Sequence, residues 1–234
     1  MPYPLRSLFL FSILFTTLVN GAEQQQAHWT QSYDAGYKDL NGAYAGGSEI
    51  MHIVSHKGKL YASNGFWVDA RWVIPPDGQK QSAQVLRLDS LEGKWQVDLD
   101  MGQSNDRGLA YMKGNILKSV TFTRDASGNP LPSPQNLLVM AAGANFERGG
   151  AVSSWTRDDK KNAWVHTLIR HGSSVGGIRW VPRDMEVYRD KKAGIERLFL
   201  SLGNPGIASG VYDPSLPGKI KWNPHLEFPF PEGG

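Results

Sequence analysis

The chain has 234 residues and no cysteine, which excludes disulfides and thiolate-built metal centres and leaves stability to packing. Its 25 Lys and Arg against 22 Asp and Glu leave a formal charge of +3, and no basic block of five or more residues occurs, which argues against a nucleic-acid partner. The 26 Gly and 14 Pro interrupt the sequence every few residues and leave no long amphipathic helical stretch, so the fold class is all-β, built from short strands and turns.

Residues 1–22 read as a signal peptide. One charge in Met1–Arg6 precedes the apolar run Ser7–Val19, and the small residues Gly21 and Ala22 precede the polar run Glu23–Gln26. The apolar run is shorter than the roughly 20 residues that a spanning helix needs. Cleavage after Ala22 and a secreted product, extracellular or periplasmic, with no membrane association after cleavage, are therefore expected. An uncleaved amphipathic anchor is the alternative. Residues 23–45 form a lead segment in which 29–44 supply one more strand.

Three units follow, expected at about 46–102, 115–170 and 178–228. The first has strands at Glu49–Val54, Leu60–Ser63, Gln84–Asp89 and Lys94–Leu99. The second has them at Leu117–Phe122, Asn136–Ala141, Ala151–Thr156 and Ala163–Leu168. The third has them at Met185–Arg189, Ile195–Ser201, Gly210–Tyr212 and Lys219–Trp222. Each run is rich in β-branched or aromatic residues and is bounded by turn formers. In every unit an Asp closes the third strand (Asp89, Asp158, Asp213), a polar turn follows, and a Trp opens the fourth (Trp95, Trp164, Trp222). Asp suits a turn start because its carboxylate accepts from the backbone two residues on. Trp supplies a large contact to a neighbouring sheet.

These recurrences, about 70 and then 55 residues apart, resemble the blades of a β-propeller and are loosely kelch-like. The resemblance covers residues 46–228. It implies a partial β-propeller of about three four-stranded antiparallel blades within 46–234, since closed propellers carry four or more. Three hairpins of a β-sandwich are the alternative. A kelch blade carries a glycine pair directly after its second strand. Here Gly149-Gly150 instead precedes the third strand of unit two, and the other units lack the pair.

Propellers characteristically bind ligands where the loops between strands two and three gather with the loops entering the next blade. In unit one that loop carries Trp67, Asp69, Arg71 and Trp72, two indoles beside an acid and a guanidinium that can stack on a sugar ring or planar ligand. In unit two it carries Asn145, Glu147 and Arg148. These seven residues are the candidate ligand-binding set. The alternative is that the tryptophans pack their own loop. Asp98, Asp100, Asn105 and Asp106 form an oxygen-rich stretch without EF-hand spacing, and the dispersed histidines give no metal motif, so no metal site is assigned. No G-x-S-x-G elbow and no nucleotide-binding glycine motif occurs, and neither a catalytic residue nor a cofactor can be named. The mixed-charge turns, including 157–161, are expected to be solvated. A binding module recognising a ligand or protein partner through its loop face is the leading expectation. A secreted glycan-active hydrolase or lyase using Asp69, Asp106 or Glu147, and an inactive fragment of a larger propeller, are the competing ones.

Overall fold

The computed structural model describes residues 30–66, 82–102, 111–146, 149–173, 180–203 and 205–229. Within them the chain is all-β and forms three successive four-stranded antiparallel meanders. Sheet 1 runs β3 (Glu49–His56), β4 (Lys59–Gly65), β5 (Gln84–Leu88) and β6 (Gln96–Asp100). Sheet 2 runs β7 (Ile116–Arg124), β8 (Pro130–Phe146), β9 (Gly149–Asp158) and β10 (Ala163–Ser173). Sheet 3 runs β11 (Met185–Arg189), β12 (Glu196–Ser201), β13 (Gly206–Tyr212) and β14 (Ile220–Trp222). No closed ring forms among the described residues.

The turns explain the hairpins. Lys57 and Gly58 both take positive φ, 48° and 77°, as a two-residue turn matched to strand twist requires. Asp158 accepts from the Lys160 and Lys161 amides, and Asp213 from the Ser215 amide at 3.0 Å. Asp89 differs from this pattern: its carboxylate takes Lys59 at 2.7 Å and Arg87 at 2.9 Å instead of a turn amide. Two cations within reach outcompete a local backbone donor.

Strand alternation gives sheet 2 one face toward sheet 1 and the other toward sheet 3. On β8, Leu138, Met140, Ala142 and Ala144 join Tyr61, Val85, Leu99 and Trp155 in the core between sheets 1 and 2. Leu137, Val139 and Ala141 join Phe122, Val152, Leu198, Leu200, Ala208 and Tyr212 in the core between sheets 2 and 3. The first strands β3, β7 and β11 pack in succession, and β6 meets β10, so like strands face like strands as in neighbouring blades.

Two ends of this array depart from the sequence reading. The lead segment makes not one strand but a small hairpin, β1 (Tyr37–Lys38) with β2 (Tyr44–Ala45). It packs on the preceding-side face of sheet 1, where Tyr33 and Tyr37 meet Ala62, Leu86, Leu88 and Trp95. Asp39 organises it, its Oδ1 accepting from the Asn41 and Ala43 amides and its Oδ2 from the Val97 amide of β6. At the other end a short strand β15 (Phe228–Pro229) pairs with Gly206 and Ile207, beside the same edge of β13 that β14 uses further along. The fourth strand of sheet 3 is thus interrupted at Asn223–Glu227, where Pro224 has no amide to donate to a ladder.

Candidate functional site

The strongest concentration of charge lies between sheets 1 and 2. Asp98 on β6 and Arg157 on β9 are both buried, with side chains 3% and 2% exposed. Register dictates the meeting. Ser153, Trp155 and Arg157 share the β9 face that points to sheet 1, and Asp98 points back from β6. Arg157 grips Asp98 with two nitrogens, Nε donating to Oδ2 at 2.8 Å and Nη2 to Oδ1 at 3.3 Å. Its Nη1 donates to Asp159 at 2.7 Å, and its guanidinium lies 5.3 Å from the Tyr61 ring centroid. Arg87 and the Trp164 indole complete the ring around Asp98, the indole N–H donating at 2.7 Å. Burial works against the Arg157 cation, yet the hydrogen bonds and charge of Asp98 and Asp159 override it and hold the guanidinium protonated. Burial pushes the Tyr61 hydroxyl up to about 12. The expectation that turn 157–161 is merely solvated is therefore corrected for Arg157 and Asp159. The alternation that buries Trp155 buries Arg157 with it.

His56 extends this network. Its side chain is fully buried, with Nδ1 2.9 Å from Ser119 Oγ and Nε2 3.0 Å from Asp159 Oδ2. Burial raises the Asp159 carboxyl, but hydrogen bonds from Lys57, His56 and Arg157 outweigh it and hold the group at about 2. A depressed carboxyl stabilises the fold above its unfolded value, 3.8, and that contribution disappears as pH falls through about 2. Asp159→Asn should therefore flatten the loss of stability between pH 4 and 2, measured as urea midpoint against pH. An acid limb as steep as the parent's would contradict this.

A second pattern runs through all three sheets. The indole N–H of each fourth-strand tryptophan reaches toward the element before it. Trp95 donates to Ser32 of the lead segment at 3.2 Å, Trp164 to Asp98 of sheet 1 at 2.7 Å, and Trp222 to Ser154 of sheet 2 at 3.1 Å. The three anchors recognised in the sequence are thus one device used three times.

At the opposite end of the sheets the connections between strands two and three, and between sheets, leave and re-enter. Of the candidate ligand-binding set, Trp67, Asp69, Arg71, Trp72, Glu147 and Arg148 lie outside the described residues, as does Asp106. Asn145 sits on β8 with its backbone opposite Gly150. Phe66 and Ser82, which flank the tryptophan loop, are buried. Trp180 lies across sheet 2 at this end. A Cβ at Gly150 would stand 1.9 Å from its ring, and one at Gly143 would stand 1.7 Å from its carbonyl oxygen. The glycine at position 150 is therefore a requirement of Trp180 packing.

On the outer face of sheet 3 lies a cavity of about 320 Å³. Six of its lining residues, Ile195, Arg197, Ser209, Val211, Lys221 and Asn223, share one face by strand alternation. Glu227 binds Arg197 at 2.8 Å and accepts from Ser209 Oγ at 2.6 Å. Hydrogen bonds from Ser209 and Asn223 and the Arg197 charge, set against slight burial, keep the Glu227 carboxyl below its usual range. No protein-family model matches the chain, and no curated protein matches it significantly.

Proposed function

We propose that the protein is a secreted binding module of propeller type, with loosely kelch-like blades, that recognises a ligand or protein partner through the loops at one end of its sheets. The supporting observation is the rigidity of the support. The buried Asp98–Arg157 pair and the Trp164 and Trp222 indoles tie successive sheets together, and the Trp95 indole ties the lead segment to sheet 1, so loops between the strands start from fixed strand ends. Trp67 and Trp72, with Asp69 and Arg71, carry the chemistry of a stacked sugar or planar ligand, and Asn145, Glu147 and Arg148 add polar contacts from the next sheet.

The test uses the full-length secreted protein and a Trp67→Ala/Trp72→Ala variant on a glycan array and against a panel of extracellular proteins. A parent interaction weakened about tenfold or more in the variant, with an unchanged thermal midpoint, is the expected result. Undiminished binding by a folded double variant would contradict the reading.

A further inference from the structure

We propose that the cavity on the outer face of sheet 3 binds a small aromatic carboxylate, Lys221 taking the carboxylate and Ile195, Val211 and Trp222 taking the ring. The site lies apart from the loops and does not rest on the reading of the loop face.

The sign of the site comes from a break in the repeat. Counting back from the Asp that closes each third strand aligns Thr156 on β9 with Val211 on β13. Thr156 stands between Val139 on β8 and Val165 on β10. Val211 stands between Lys221 on β14 and Arg197 on β12, one step beyond the Leu198–Gly210 pair. In sheet 2 both valines are covered by sheet 3: Val139 belongs to the shared core, and a Cβ at Gly218 would stand 3.6 Å from Val165. In sheet 3 the same two positions are cations, and both line the cavity. Buried unpaired between sheets, such charges would be costly, so this face is made to meet an opposite charge. Two strand spacings set the Cα atoms of Arg197 and Lys221 about 10 Å apart with Val211 between them. Long side chains at that spacing can close on one anion above an apolar floor.

The hydrogen bonds leave one cation in surplus. Glu227 Oε1 collects Arg197 Nη1, Ser209 Oγ and Asn223 Nδ2 at 2.8, 2.6 and 3.3 Å. Lys221 Nζ makes no hydrogen bond or ion pair among the described residues. Asp213, at the start of the same turn, spends its Oδ1 on Ser215. A monoanion therefore balances the site, and a carboxylate on an ammonium forms a strong, charge-assisted hydrogen bond. Ala126, Ile195, Val211, Trp222 and Pro224 give the rest of the wall an apolar character. The volume of about 320 Å³ suits a small ligand of naphthalene size. An indole beside a guanidinium favours an aromatic body over an aliphatic one.

The probe is 2-naphthoate, titrated into the isotopically labelled full-length protein, with neutral 2-naphthamide and inorganic phosphate for comparison. Saturable backbone NMR shifts centred on 195–197, 209–211 and 221–223 are expected, with a Kd of about 0.1–1 mM for a ligand of this size. The amide should bind about tenfold more weakly, and phosphate should displace naphthoate only at about tenfold higher concentration. Lys221→Gln should bring acid and amide to the same weak affinity, whereas Lys221→Arg should keep the preference. Val211→Phe, which fills the floor, should remove binding of both. Lys221 is exposed, so its variants keep the parent's thermal midpoint and decide the matter even where Val211→Phe lowers it. Absence of saturable shifts, shifts centred on another face, equal affinity for acid and amide in the parent, or undiminished naphthoate binding by Lys221→Gln would each overturn the proposal. Phosphate competing as well as naphthoate would overturn it too, by showing a patch for anions alone. The loop-face variant Trp67→Ala/Trp72→Ala should bind naphthoate as the parent does, which separates the two readings.

Discussion

Asp98→Ala should destabilise the protein by about 3–5 kcal/mol, the cost of leaving a buried cation without its partner. The carboxylate is 3% exposed and receives Arg157, Arg87 and the Trp164 indole, so its loss removes one acceptor from three groups at once. Arg157 cannot shed its proton to escape, and among the described residues it keeps Asp159 and Asn162 as hydrogen-bond acceptors, beside the Tyr61 ring. Asp98→Asn keeps the shape and part of the hydrogen bonding and should lose less. Chemical denaturation of both variants, read as midpoint shifts at constant slope, measures the difference. A loss below about 1 kcal/mol for Asp98→Ala would mean that the junction is hydrated and the pair behaves as a surface salt bridge.

Trp155→Ala should cost a similar amount, about 3–5 kcal/mol, by a different mechanism. The indole is fully buried at the centre of the sheet 1–2 core. Tyr111 meets it edge-on at 5.0 Å between centroids, and His166 tilts over it at 5.1 Å. Removing it opens a cavity and loosens Tyr111, whose hydroxyl lies 2.8 Å from Ser153 Oγ, with His166 Nε2 2.9 Å from the same oxygen. Calorimetric unfolding should show a single transition at lower temperature, because sheets joined by continuous cores unfold together. An unchanged midpoint would contradict the core assigned here.

The two variants probe opposite halves of what the sequence made legible. Strand order could be read because Gly, Pro and Asp punctuate the chain at nearly every hairpin, and because Trp95, Trp164 and Trp222 recur at one position. What the indoles bond to could not be read. Trp164 and Asp98 are 66 residues apart, and such pairing emerges only when the sheets stack. Arg157 illustrates the limit well. As part of a charged turn it reads as solvent-facing, yet two residues from Trp155 it must share the face of that indole. Strand parity was the available signal. His56 is similar: a turn histidine locally, but buried against Ser119 and Asp159 once sheet 2 lies beside sheet 1.

The lead hairpin and the split fourth strand of sheet 3 were hidden for other reasons. β1 and β2 are two residues each and depend on Asp39 and on sheet 1 for their geometry. β15 contains a proline, which weakens any strand signal. Gly150 departs from the kelch glycine-pair position, and its physical reason is the Trp180 ring laid against it. The acidic stretch from 98 to 106 invited a cation, but the Asp98 oxygens are already taken by two guanidinium groups and an indole.

The fold consists of consecutive sheets standing side by side, each fourth-strand indole reaching back to the element before it. The direct measurement is a set of NMR nuclear Overhauser contacts from the indole N–H protons in the full-length protein. The expected contacts join Trp95 to Ser32, Trp164 to the β-protons of Asp98, and Trp222 to those of Ser154. Contacts instead linking the three indoles to one another across two facing layers would contradict it.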